Sequence, residues 1–234
     1  DQVKSMAKFT KNVIIDDIHR VKRPGIGDVF VGRITVGDLA DALAAGDVKY
    51  APKYQRGMKL SEDNVYDAES LIDIHSDKLL IETKRAEAMA AKYLIALSGE
   101  GTRYLFNPDV IWNARNDPNR PAADYDEKKR QLTLHSTITV PDSAHRHYAY
   151  YLLKQWKADS DAVPDEVVIA EDGEAVDKDS LVSWLEAFDP YSDENSSILV
   201  QVFNVPRDLE GKLFDEYNVE GKKPSTSASI DMFS

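Results

Sequence analysis

The chain reads as an α/β protein, a small mixed sheet with flanking helices, and three observations carry that reading. Asp28–Ile34, Gln131–Val140 and Ile198–Val205 are rich in β-branched residues or alternate apolar with polar, as strands do. Stretches with apolar residues at helical spacing separate them. Turn residues such as Pro24-Gly25, Gly46 and Ser98-Gly99 punctuate the two kinds of segment.

Length and composition bound the rest. With 234 residues, 42% hydrophobic and 30% charged, the chain can bury one sizeable core. There is no cysteine, which removes disulfides, thiolate metal sites and cysteine nucleophiles and leads to the expectation of a reducing, cytoplasmic setting. No run of about 18 apolar residues occurs, so no membrane partner is expected. The net charge of −12 argues against a protein that wraps bare nucleic acid with a wholly basic surface. Any contact with nucleic acid has to be local or made through a partner.

Taken in order, residues 1–27 are read as an amino-terminal extension, with a basic cluster at Lys22-Arg23 before the Pro24-Gly25 turn. A domain over 28–220 follows. Asp28–Ile34 is its first strand. Thr35 caps a helix to Ala45, Asp38 stands in the favourable first turn, and Gly46 closes it. Val48–Arg56 is extended, since Pro52 disfavours helix at Ala51. Ser61–Leu97 is largely helical, with Leu79, Ala86, Ala90, Tyr93 and Leu97 on one face. Tyr104–Ala114 is a core segment, and Asn116–Lys129, rich in Pro, Asn and Asp, a loop. Gln131–Val140 is one strand, broken by Pro141-Asp142 before an amphipathic helix over Ser143–Lys157. The acidic stretch 159–179 looks like an inserted loop, apart from a short Val167–Ala170 run. Ser180–Phe188 and Leu209–Tyr217 are helices flanking the strand Ile198–Val205, and 221–234 is a Ser/Thr/Lys-rich tail.

The unit with most chemistry is the strand 131–140, the Pro141-Asp142-Ser143 turn and the helix it opens. Such a turn aims free backbone N–H groups at whatever precedes the helix, and the helix dipole adds partial positive charge there. Asp142 or Ser143 can cap the helix. His145 and Arg146 fall in its first turn, where cations oppose the dipole, so an anionic partner would explain them; the Arg146 fork suits phosphate. Spacing alone favours a plainer account, a capped surface helix whose Arg146 makes an ordinary ion pair.

Asp142-Ser143-Ala144-His145-Arg146 resembles the Asp-Gly-Gln-His-Arg signature of the DGQHR-domain family, which includes DndB-like proteins, and more distantly the corresponding boxes of ParB proteins and sulfiredoxins. Tyr50-Ala51-Pro52-Lys53-Tyr54-Gln55-Arg56 resembles the Pro-x-x-Gln-Arg box of ParB-like domains. Phe214 to Asn218 with Lys223-Pro224-Ser225 resembles the carboxy-terminal stretch of DGQHR-type proteins. The three short matches lie in the family's order over residues 50–225. Two departures stand out: Ser143 replaces a glycine, and Ala144 replaces both the sulfiredoxin cysteine and the ParB glutamate, which excludes sulfinic-acid reduction.

The resemblance implies a ParB/sulfiredoxin-like fold in which Gln55, Arg56, Ser143, His145, Arg146 and Asn218 hold a nucleotide. Asp142 and His145 would serve any hydrolysis of a nucleoside triphosphate, with Mg²⁺ carried by the nucleotide rather than by a dedicated metal site. It implies a regulatory or accessory protein of a bacterial or phage DNA-modification or defence pathway, with DNA or a modification protein as partner and homo-oligomers conceivable. The alternatives are a DNA-binding repressor or a ParB-like nuclease, each with a vestigial pocket. No P-loop, zinc-protease helix or Gly-x-Ser-x-Gly elbow is present.

Overall fold

The protein is seen in a computed structural model that describes residues 13–50, 83–98, 108–116, 121–136, 138–140, 144–170 and 173–220. Ten strands are described: β1 (Val13–Arg23), β2 (Gly27–Thr35), β3 (Val48–Tyr50), β4 (Val110–Ala114), β5 (Ala123–Asp126), β6 (Gln131–Leu134), β7 (Ile138–Val140), β8 (Glu166–Val168), β9 (Ala175–Asp177) and β10 (Ser197–Phe203). Eight form one sheet in the order β3-β7-β4-β10-β2-β1-β6-β5, and β8 and β9 form a separate hairpin. The pairs β3/β7 and β4/β10 are parallel and the others antiparallel. The fold is mixed α/β as expected, but the sheet is not small.

The largest correction concerns 131–140. Expected as one strand, it is two, β6 and β7, which stand five places apart in the sheet. On a flat sheet that separation is about 24 Å at roughly 4.8 Å per strand. Four Cα steps from Leu134 to Ile138 reach at most about 14 Å. The sheet therefore curls until its two sides approach each other. The β5/β6 pairing runs one rung further, the His135 N–H donating to the Ala122 carbonyl at 2.8 Å, before β7 begins at Ile138.

Two further strands of this sheet lie where none was expected. Part of the stretch set aside as an extension, residues 13–23, is β1, paired with β2 on one side and β6 on the other. Its pattern was hidden by Asp16-Asp17, where the register shifts and Asp17 takes a φ of 53°. Arg33 on β2 donates to the Asp17 carboxylate and, at 2.5 Å, to Asp193. The guanidinium holds Asp17 below the ordinary carboxylate range. Within the expected loop 116–129 lies β5, joined to β6 by a turn in which Asp126 accepts the N–H groups of Lys128 and Lys129, both at 3.0 Å.

Five helices are described: α1 (Val36–Ala44), α2 (Thr83–Leu97), α3 (Ala144–Ala158), α4 (Lys178–Glu186) and α5 (Arg207–Glu220). Thr35 caps α1 as expected, its hydroxyl accepting the Asp38 N–H at 3.1 Å, and Gly46 ends the helix region at a φ of 75°. Helix α3 packs between α1 and α2. Trp112, Leu39, Leu43, Leu94 and Tyr150 fill the main core beneath these helices, each wholly buried. Of the expected helical face, Ala86, Ala90 and Tyr93 are buried, Leu97 is 38% exposed, and Leu79 lies outside the described residues. Helix α5 covers the other sheet face, where Leu213 meets Val29, Phe203 and Val205. The stretch read as an acidic loop is anchored: Val163, Val167 and Ile169 are buried in the main core, and Asp177 caps α4 by accepting the Ser180 N–H at 2.8 Å. Among the described residues no helix is long and apolar enough to cross a membrane.

Candidate functional site

Strand β7 ends at the buried Val140 and α3 begins at Ala144, so the strand-to-helix change falls where the sequence puts it. Residues 141–143, with Asp142 and Ser143, lie outside the described residues, as do Gln55 and Arg56. The register nevertheless fixes where these segments depart. Because β3 and β7 run parallel with Tyr50 opposite Val140, the chain leaves both strands at the same end of the sheet. Strand β4 runs antiparallel to β7, so Pro108 and Asp109, which precede it, stand at that end too.

The first turns of α3 are docked there by three polar contacts. Arg146 donates from its guanidinium to the Asp109 carbonyl. The Tyr150 hydroxyl donates to the Pro108 carbonyl at 2.6 Å. The Trp112 indole N–H donates to Nε2 of His147 at 2.8 Å, and both rings are wholly buried. An indole is only a donor, so Nε2 must accept, which assigns His147 as the neutral Nδ1–H tautomer. Sequence reasoning passed over His147 in favour of its neighbours. Its signal was position: three residues after Ala144 and one before Tyr148, it falls on the buried face. His145 and Arg146 lie to the side, both partly exposed. A guanidinium has five N–H donors, so the bond to Asp109 leaves Arg146 capacity for an anion.

Titration behaviour around α3 is set by burial. The Tyr148 hydroxyl is pushed up to about 12 by burial, with Tyr151 and Glu87 adding to it. Tyr93 is pushed up to about 12 by burial alone. Tyr150 rises well above the ordinary tyrosine value through burial, with the Arg146 guanidinium pulling it back. These hydroxyls stay neutral at physiological pH, and those of Tyr93 and Tyr150 donate to the carbonyls of Asn195 and Pro108. Glu87 on α2 is raised by burial, and Lys84 one turn earlier opposes the rise. It is a carboxyl beside this helix that no motif pointed to.

A second cluster lies on the opposite face of β4 and β7. The Glu210 carboxylate of α5 is wholly buried and receives Arg115 through Nε at 2.9 Å and a second guanidinium nitrogen at 2.8 Å. The other oxygen accepts Asn113 Nδ2 at 2.9 Å and the Thr139 hydroxyl. Asn113 also holds both backbone groups of Val205, at 3.0 and 3.2 Å. The cluster ties α5 to β7, three residues upstream of Asp142. A polar Asn113 and Thr139 within otherwise apolar strands were its only traces in the sequence. Asn218 belongs to the same helix, but its side chain lies outside the described residues. Among the described residues no group of three His, Asp or Glu gathers as a metal ion would require.

Compared with known proteins, the chain matches no family model, no curated protein and no solved structure.

Proposed function

We propose that this chain binds the phosphate of a nucleotide beyond the carboxyl ends of β3 and β7. One observation carries the reading: the parallel pairing of these strands sends the Gln55-Arg56 segment and the Asp142–Arg146 segment out from neighbouring positions at one end of the sheet. Crevices outside strand ends, at crossovers, are where open α/β sheets take ligands. Arg146 and Arg56 supply the cations, Gln55 and Asn218 are available to base or ribose, and Ser143 with the α3 amide groups contributes backbone donors. Asp142 orients His145 or a water on Mg²⁺. The resemblance to DGQHR-domain and ParB-like proteins supports the same ligand, a ParB/sulfiredoxin-like fold, and a place in DNA modification or phage defence.

Calorimetric titration with ATP, GTP and CTP, each with Mg²⁺, tests this. Arg146→Ala and Arg56→Ala should each weaken binding about ten- to a hundred-fold, the worth of a charge-assisted contact of roughly 1.5–3 kcal/mol. Arg146→Lys should recover part of the loss, since an ammonium lacks the planar fork. Undiminished affinity in both alanine variants, with their folds intact, would put the phosphate elsewhere.

A further inference from the structure

A cavity of about 240 Å³ lies between the C-terminal end of α2, helix α4 and the turn that follows α4. Lys157, in the last turn of α3, donates to the carbonyls of Leu185 and Glu186 at the end of α4, at 2.7 and 3.3 Å. About 16 Å of helix, at roughly 1.5 Å per residue, separate Lys157 from Arg146. The cavity is therefore a different place from the proposed nucleotide site, at the other end of α3.

Leu97 and Phe188 supply apolar wall, Phe188 buried and Leu97 open to solvent. Tyr93 of α2 fixes that wall. Its hydroxyl donates to the Asn195 backbone carbonyl at 3.1 Å, and its ring meets that of Phe188 edge-on at 5.9 Å. Ser98 secures the end of α2, its hydroxyl donating to the Ile95 carbonyl at 2.8 Å. Walls held in this way are already in place before a ligand arrives, which lowers the entropic cost of binding.

Trp184, Ser183 and Asn195 line the same cavity. The side-chain oxygen of Asn195 accepts the Ser196 hydroxyl at 3.2 Å. Among the described residues no acceptor takes the Asn195 amide N–H groups, the indole N–H of the half-buried Trp184 or the Ser183 hydroxyl. No charged side chain is among the described lining residues, although charged residues make up 30% of the chain. Glu186 and Glu194, each next in sequence to a lining residue, are exposed, and the Lys157 ammonium is engaged by carbonyls. An anion would meet those carboxylates and find no cation, and a cation would find no carboxylate in the lining.

We infer that this cavity binds a neutral sugar ring. The hydroxyls of a pyranose donate and accept at once, so one ligand satisfies the indole N–H, the amide and the serine hydroxyl together. Its C–H face, slightly positive, suits the negative face of an indole. At about 30 Å³ per water the cavity holds roughly eight waters, room for one ring rather than a chain of them. A wholly apolar ligand is a poorer match, because it would cover the same polar groups and leave them unpaired. A nucleobase is poorer too. Pockets that read bases stack them between two side chains, and Phe188 is buried, which leaves Trp184 as the open ring among the described lining residues.

Saturation-transfer NMR on the whole chain tests this, with methyl β-glucoside, methyl β-galactoside, methyl α-mannoside and N-acetylglucosamine as probes. A ring of about twelve non-hydrogen atoms should bind with a dissociation constant of about 1–10 mM. Of the three tryptophans, Trp112 and Trp156 are buried, so acrylamide quenching of fluorescence reports on Trp184, and bound sugar should reduce it. Asn195→Ala and Trp184→Phe each remove one hydrogen bond to the ligand and should weaken binding about three- to tenfold. Asn195 is exposed, so its variant should keep the parent melting temperature. The inference is overturned if none of the four sugars binds more tightly than about 50 mM. It is overturned equally by quenching that bound sugar leaves unchanged, by parent affinity in both variants, or by tighter binding of adenosine or benzyl alcohol than of any of the four.

Discussion

Removing Arg115 should test the buried cluster under β7 severely. Glu210 is wholly buried, and Arg115, whose side chain is 16% exposed, carries its counter-charge. In Arg115→Met the carboxylate keeps Asn113 and Thr139 but loses its only cation among the contacts described. Leaving a buried charge uncompensated costs about 3–5 kcal/mol. That is a large share of the roughly 5–15 kcal/mol by which domains are stable. At about 2–4 °C per kcal/mol for a domain of this size, the melting temperature should fall by roughly 6–20 °C. Glu210→Gln leaves the more accessible partner unpaired and should cost less, about 1–3 kcal/mol. The double variant Arg115→Met/Glu210→Gln removes both charges, so its cost should undercut the sum of the singles by about 2 kcal/mol. Urea unfolding followed by tryptophan emission measures all four corners, provided the slopes with denaturant agree. A loss under about 1 kcal/mol for Arg115→Met, or strict additivity in the double variant, would refute a desolvated ion pair at this position.

Arg146→Ala should destabilise by about 1 kcal/mol in thermal melts: the lost bond to Asp109 outweighs the relief of removing a cation from the start of α3. Sequence reasoning alone points the other way, to unchanged or raised stability, so the sign discriminates. Thr35→Ala removes the α1 cap and should cost about 1 kcal/mol in urea unfolding, with Thr35→Ser close to neutral. Gly32→Ala should cost about 1–3 kcal/mol, because a Cβ there would stand 2.7 Å from the Asp16 carbonyl and 2.6 Å from Ile18 Cδ1. Tyr93 and Tyr148, both held up to about 12, should keep the fold insensitive to their ionisation below pH 10. Above it the unfolded chain ionises first, so stability should fall between about pH 10 and 12. Tyr93 alone contributes roughly 1.4 kcal/mol per pH unit to that fall. Absorbance at 295 nm beside urea midpoints would show it.

What was legible in the sequence was local. The cap at Thr35, the stop at Gly46, the strand before it and the start of α3 each depend on residues within one or two turns. What was not legible depended on distant parts of the chain. The split of 131–140 escaped because the three residues between β6 and β7 preserve the parity of the alternation. Leu132, Leu134, Ile138 and Val140 are all buried, so periodicity cannot see the break. Strand β1 was masked by a bulge at two aspartates, and β5 by half-exposed alternation over only four residues. At the candidate site, helix chemistry was readable, but the Arg146 partner is a backbone carbonyl 37 positions upstream, which no side-chain pattern announces. The Asn113–Glu210 contact spans 97 positions and left no motif.

The place of β10 has a consequence for how this molecule is made. It is the last strand of the chain among the described residues, yet it lies between β4 and β2, in the middle of the sheet. Without it, β2-β1-β6-β5 and β3-β7-β4 are two half-sheets with no shared ladder, tethered by the short link between β6 and β7. At about 5–20 residues per second, a ribosome leaves those halves waiting through the synthesis of the α4 region, with the raw edges of β2 and β4 unpaired. Chaperone capture should therefore be strongest on nascent chains stalled before residue 197, and release should follow when Phe203 clears the exit tunnel.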